Sequence, residues 1–427
     1  MVLAAYSAGA FAQGGTGSPY SQFGIGTLSG NAGAFARGTS GLGAAYRSGD
    51  NVNPSNPASL SSTDSLSFIF DAGLSLHITN FKENGRSVNT ANGNFDYVSA
   101  AFRLAPKLGA GFGITPVSSV GYEYSSVSYA EGGKSVASTT AHTGTGGLRQ
   151  AYAAVGFEPF KGFSLGVTCA YLWGGYERSS VGGYGTGEKY ANTLSKLYKA
   201  EVRSYRVVAG VQYTTRLSKA DQLTLGATYE PGHSIGGDPT CLVVSTNSQT
   251  GIADSVSYPS AGRLSLGMPV SVSAGLMWTH SGRLRIGADY SLQKWGGVDF
   301  PTQTVSAGKQ DYVAAKGAFK DMHKVTLGGE LCPAPAARGY LSRVRYRAGL
   351  SYATPYANIG GGEGPREISA TLGFGLPITN VYNNRSYLNI SAQWVNRAAA
   401  GMMSENSFRI NVGVTFNERW FMKWKVN

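Results

Sequence analysis

Charge is scarce in this chain of 427 residues: Asp, Glu, Lys and Arg together make up 14% of it, against roughly a quarter in soluble proteins. No run of about eighteen apolar residues occurs, so no helical membrane span is expected. The three cysteines, Cys169, Cys241 and Cys332, are odd in number and far apart, which leaves no disulfide framework and no zinc spacing. The five histidines, His77, His142, His233, His280 and His323, lack ligand spacing, so no metal is expected. There is no G-x-S-x-G elbow and no phosphate loop between a strand and a helix, so neither a catalytic residue nor a cofactor is expected. A hydrolase would need a Ser or Asp beside a rim histidine, with His77 or His280 as the choices. The net charge of +12 is spread along the chain without a basic tract, which argues against nucleic acid as a partner.

What the chain does have is glycine, at 60 residues, tyrosine, at 25, and alternation. In "RVRYRAGLSY", Arg343, Arg345, Arg347, Gly349 and Ser351 alternate with Val344, Tyr346, Ala348, Leu350 and Tyr352. A strand sends successive side chains to opposite faces, so one face here is wet and cationic and the other apolar. The pattern recurs in "LSFIFDAGLSLHI" from Leu66, "FSLGVTCAYLW" from Phe163, "VSVSAGLMWT" from Val270, "RLRIGADYSLQ" from Arg283 and "FRINVGVTF" from Phe408. Fourteen such segments centre near residues 72, 99, 111, 151, 168, 208, 226, 274, 288, 327, 348, 371, 391 and 412. An even count of two-faced strands fits a closed membrane barrel with hydrocarbon outside and water or a plug inside. A mean hydropathy of −0.13 then averages two unlike faces.

Connections after even-numbered strands are mostly short (105–107, 158–162, 217–221, 280–282), and those after odd-numbered strands are mostly long (178–200, 231–267, 295–321). That asymmetry belongs to outer-membrane barrels, not to soluble sandwiches. Trp173, Tyr176, Trp278, Trp295, Trp394, Trp420 and Trp424 fall near segment ends, as interface girdles would.

The expected fold is an all-β, transmembrane antiparallel barrel of about fourteen strands over residues 63–427. Residues 1–12 read as a signal-peptide remnant ending in Ala10-Phe11-Ala12. Residues 13–62 are rich in Gly, Ser and Ala and lack alternation, so they are expected to fold inside the barrel as a hatch.

The stretch "ARGTSGLGAAYRSGDNVNPSNPASL", Ala36 to Leu60, resembles the start of the FadL-like family of long-chain fatty-acid transporters, which opens with a Gly-rich segment and an Asn-Pro-Ala motif. The matching residues are Asn56, Pro57 and Ala58, with a second pair at Asn53 and Pro54. "YRAGLSYATPY" and "ISATLGFGLPI" are similar to late strands of that family, and "FNERWFMKWKVN" looks like the charged-aromatic ending of barrels in one Gram-negative branch. The resemblance implies passive, hatch-gated passage of a hydrophobic, fatty-acid-like molecule across a Gram-negative outer membrane, with sideways exit where the third strand is kinked. Gly113, Pro116 and Gly121 are the residues that would permit such a kink. Arg285, Arg345 and Arg347 are lumen positions that could hold a carboxylate, although mixed charges are expected mainly to pair with one another and the hatch. Outer-membrane lipid, lipopolysaccharide and the barrel-assembly machinery are the further partners implied. The alternative on the same fold is a barrel that does not transport and acts as a shuttle or anchor in protein secretion or surface assembly, meeting a protein through its long extracellular loops.

Overall fold

A computed structural model describes residues 17–83, 85–129, 136–184, 192–247, 249–259, 262–306, 309–378 and 386–419. The expected signal-peptide remnant, Trp420 and Trp424 lie outside them. The described residues contain no helix long and apolar enough to cross a membrane. They form a fourteen-stranded antiparallel barrel whose third strand is in two pieces, giving fifteen strands: β1 Ser67–Glu83, β2 Arg86–Ala105, β3 Leu108–Pro116, β4 Ser118–Tyr129, β5 Val136–Phe160, β6 Phe163–Tyr184, β7 Thr193–Arg216, β8 Asp221–Glu230, β9 Val270–His280, β10 Leu284–Lys294, β11 Met322–Leu331, β12 Arg345–Ala353, β13 Arg366–Ile378, β14 Ser386–Ala398 and β15 Ser404–Arg419. β15 pairs with β1, Thr415 opposite Asp71, and closes the wall. All fourteen expected segment centres lie inside these strands.

The two rows of each strand divide as the alternation requires. On β1, Leu74, Leu76 and Ile78 are exposed on the outside while Asp71, Ser75 and His77 are buried within. The outer row stays apolar from Leu66 to Ile78 and turns polar at Asn80 and Lys82. Twelve steps of about 3.3 Å, tilted by about 40°, span roughly 30 Å, the thickness of a hydrocarbon core.

Several strands outrun that band. β5, β6 and β7 have 25, 22 and 24 residues, and 25 residues reach roughly 80 Å. The expected long connection at 178–200 is therefore largely wall. Thr240–Thr246 joins the upper part of β7, Val243 opposite Lys196, and Ala253–Tyr258 adds a further strand. The loop-length asymmetry is also less regular than expected. The β11–β12 connection at the turn end spans 332–344, while the β1–β2 turn at the loop end spans 84–85. Tyr176 and Trp295 depart from the girdle expectation: both are buried in an apolar cap over the loop end, where Trp295 packs against Phe319 and Tyr356, ring centres 5.2 and 5.0 Å away.

Candidate functional site

Residues 17–62 run down the inside of the barrel and hold themselves to the wall at successive levels. Thr27 and Leu28 pair with Ser119 and Ser118 of β4. The one-turn helix α1, Ala34–Gly38, follows; its Ala34 N–H donates to the Asp71 carboxylate at 3.1 Å. The Gly43 and Ala44 N–H groups donate to Asp289 at 2.7 and 2.9 Å. A 3₁₀ turn, Pro57–Ser62, closes the segment near the turn end.

The Asn-Pro motifs shape that descent. Asn53 donates to the carbonyls of Gly43 and Tyr46 at 2.8 and 2.9 Å, and its own oxygen accepts from the Ser55 N–H. Asn56, fully buried, donates to the carbonyls of Ala44 and Val211 at 2.7 and 3.2 Å and accepts from the Ala58 N–H at 3.1 Å. Pro54 and Pro57 fix φ and remove an N–H donor beside each asparagine. Around this turn glycines stand on the wall where side chains would collide, while Gln212 reaches in to donate to the Ala44 and Tyr46 carbonyls, each at 3.1 Å. A Cβ at Gly226 would lie 2.0 Å from the Ala44 carbonyl oxygen, at Gly210 2.2 Å from Asn56 Oδ1, at Gly166 2.4 Å from the Ala58 nitrogen and at Gly109 2.0 Å from the Leu60 carbonyl oxygen. These lumen-row glycines escaped the sequence reading. Their signal was there in the repeated apolar-Gly-apolar triplets of neighbouring strands, LGA, LGV, AGV and LGA.

The arginines singled out above are already engaged by protein groups. Arg345 pairs with Asp50 of the N-terminal segment and reaches the Tyr387 hydroxyl at 3.0 Å. Arg347 donates to Glu330 and to Asn389, each at 2.8 Å, and to the Ala34 carbonyl at 3.3 Å. Arg285 donates to the other oxygen of Glu330 at 2.8 Å. Arg47 of the segment meets Glu158 and Ser164, each at 2.6 Å, near the turn end. Burial alone would raise the Asp50 carboxyl, but the Arg345 guanidinium, helped by the Ser48 hydroxyl, holds it far below the usual carboxylate range.

Above α1 the lumen keeps a cavity of ≈ 340 Å³ that reaches Pro116 and Val117. Its lining includes Arg37, Arg206, Glu230, Asp289, Lys324, Glu367, Arg397 and Arg409. A pocket for a purely apolar ligand is lined mainly by apolar side chains; here eight ionisable groups compete with such a ligand for the space.

The third strand breaks at Val117. β3 pairs with both neighbours, Ile114 facing Val98 of β2 and Pro116 facing Arg149 of β5. β4 pairs with β5, but among the described residues it meets Thr27 and Leu28 on its other side instead of β2. Pro116 closes β3, Gly113 packs so tightly that a Cβ would lie 2.4 Å from the Val98 carbonyl oxygen, and Gly121 exchanges hydrogen bonds with the Ser21 hydroxyl. The neighbouring strands bend at glycines the sequence reading did not select: Gly146, Gly147 and Gly174 have φ of 125°, 135° and 126°.

The two histidines considered for hydrolysis do not form a triad. His77 Nε2 contacts the Ser75 hydroxyl at 2.7 Å, yet the nearby acid, Asp96, accepts from that hydroxyl at 2.9 Å instead of orienting the imidazole. At the rim, Asp221 lies between His280 and Ser218, so the carboxylate and not that serine meets the ring. A nucleophilic serine needs the order serine, histidine, acid.

Among solved structures the chain is similar to a Pseudomonas aeruginosa FadL homologue, with 13% identity, a TM-score of 0.62 and coverage of 92% of this chain and 100% of that one. It is also similar to the Pseudomonas putida toluene transporter TodX, with 17% identity, a TM-score of 0.61 and coverage of 93% and 100%. The CymD monoaromatic hydrocarbon channel gives 16% identity, a TM-score of 0.57 and coverage of 94% and 99%. At such identities the likeness concerns the fold, an outer-membrane barrel of FadL type. No curated protein matches the chain. A family model described as BamG matches residues 1–427, the entire length, and the chain belongs to the BamG family.

Proposed function

We propose that this protein is an outer-membrane barrel that works without transporting, as a subunit beside the barrel-assembly machinery of a Gram-negative cell. The family name points to that machinery, and the observation that carries the reading is the fixed, polar interior. Asn56, Asp50 and Arg47 tie the N-terminal segment to β7, β12 and β5, so the lumen is stiffened where a hatch-gated channel needs a part that moves aside. The upper halves of β5 to β7, with Thr240–Thr246 and Ala253–Tyr258, extend past the hydrocarbon band as a sheet and offer a surface to a protein partner outside the cell. Outer-membrane lipid and lipopolysaccharide would surround the apolar band.

A second reading, passage of a hydrophobic compound such as a long-chain fatty acid, is favoured by one observation: the cavity reaches Val117, where the third strand parts from β2. The two separate in one experiment. Depleting the protein in cells should lower the amounts of many outer-membrane barrels, and purification in mild detergent should recover assembly subunits in near-equal amounts. Normal barrel levels, no recovered partner and lost uptake of one hydrophobic compound would replace the first reading by the second.

A further inference from the structure

Where the third strand turns inward, two strand edges are uncovered, and their fates differ. The edge of β4 is met by the chain itself. Thr27 and Leu28 pair with Ser119 and Ser118, the Ser29 N–H donates to the Val117 carbonyl at 2.9 Å, and the Ser21 hydroxyl accepts from the Gly121 N–H at 3.1 Å. Among the described residues the edge of β2 has no such cover. From Arg86 to Tyr97 this strand pairs only with β1 among the described residues. Gly17, the first described residue, lies against the side chains of Asn92 and Thr90, which belong to the lumen row.

The depth of that edge gives it significance. Ala91 sits opposite Ile78 and Phe95 opposite Leu74, and Leu74, Leu76 and Ile78 form the outer apolar row. The stretch Ala91–Tyr97 is thus level with hydrocarbon. Every second N–H and C=O along it points away from β1, and lipid cannot satisfy them, which is why open sheet edges are not found in contact with acyl chains. An acyl chain or an aromatic hydrocarbon offers no donor or acceptor either. An extended polypeptide does, at a two-residue repeat of about 6.8 Å that matches the edge.

We propose that the β2 edge from Ala91 to Tyr97 takes a β-strand of a partner outer-membrane protein into the space left by β4. This rests on the assembly reading for the source of the strand. The edge also selects its occupant. Its outer row at that level, Ala91, Gly93 and Phe95, leaves room beside two small residues for bulky apolar side chains, and its lumen row, Asn92 and Asn94, is polar. A strand alternating apolar and polar residues satisfies both faces, and that is the pattern of a membrane-barrel strand.

The test uses the full-length protein in living cells, with a photo-crosslinking phenylalanine placed singly at Ala91, Phe95 and Asn92. Controls carry it at Leu76 and Ile78, at the same depth on β1, which is paired on both sides. The Phe95 exchange is nearly isosteric, so folding is preserved in at least one variant, and heat-modifiable migration in SDS gels verifies it. The expected result is a shift to a heavier band containing a second polypeptide from β2 positions and not from β1. Adducts with lipid alone, adducts with the chain's own first sixteen residues, or no β2-specific adduct would each overturn the proposal. Recovery of assembly subunits is measured in the same samples. If they co-purify while β2 yields no adduct, strand capture fails and the assembly reading stands; if neither is seen, both fail.

Discussion

Asn56 shows how much one amide can organise. It satisfies two carbonyls, one on its own segment and one on β7, and holds the Ala58 N–H. Asn56→Ala leaves the buried Ala58 N–H without its acceptor, at a cost of about 1–3 kcal/mol, while the Ala44 carbonyl keeps its bond from Gln212 Nε2 at 3.1 Å. The expected outcome is earlier tryptic cleavage at Arg37 and Arg47 and a lower urea midpoint for release of the segment, with the barrel itself still folded. Asp50 adds a pH dependence. Its carboxyl lies far below its unfolded value because of Arg345. The stabilisation it gives is therefore present above the ordinary carboxylate range and is lost only as pH falls through the depressed native value. Protection of Arg47 from trypsin, or from an acid-active protease at low pH, should stay flat from pH 7 to 4. In Arg345→Met the sign reverses: burial dominates, the unpaired carboxylate loosens the segment at pH 7, and protonation restores it on acidification. A variant equally loose at both pH values would refute this account of Asp50.

At the scale of the element, the bend in β5 and β6 rests on glycine. Gly174 has φ of 126°, and a Cβ there would lie 2.2 Å from the Gly147 carbonyl oxygen. Gly174→Val asks a branched residue to adopt a left-handed backbone, at a cost of order 1–3 kcal/mol, and also forces two strands apart. Its folded band in SDS gels should disappear at a lower temperature than the native protein's, whereas Gly183→Val, with nothing near its Cβ position, should behave as wild type. The contrast also explains what the sequence could reveal. Strand positions were legible because hydrocarbon outside and polar groups inside impose a local period of two, and Leu74, Leu76 and Ile78 state it outright. Strand extents were not. Above Asn80 water bathes both faces, the alternation fades, and only pairing with a neighbour keeps the chain extended. Thr240–Thr246 has the β-branched composition of a strand, yet its place is set by Thr193–Lys199, a long-range choice. The same limit hid the glycines under Asn56. A turn was readable from Asn-Pro, but the surface that receives it is built from strands remote in sequence.

For the whole molecule the decisive property is whether the N-terminal segment must move. The Ser40 hydroxyl lies 2.7 Å from that of Thr371 on β13, so cysteines at both positions can form a disulfide between segment and wall. In a chain whose native Cys169, Cys241 and Cys332 are replaced by alanine, oxidation would staple the interior shut and reductant would release it. If the protein acts as a fixed subunit, cells depend only on its outer surfaces and on the β2 edge, neither of which the staple touches. Oxidised and reduced protein should then restore barrel levels equally in a depleted strain. A transporter gated by its hatch predicts the opposite, loss of function on oxidation with recovery on reduction. The cross-linked band is scored in the same cells, so the staple's presence is known for each measurement. Reductant-dependent rescue would show that the segment works by leaving the lumen, and the polar ties of Asp50, Arg47 and Asn56 would then be a latch instead of a frame.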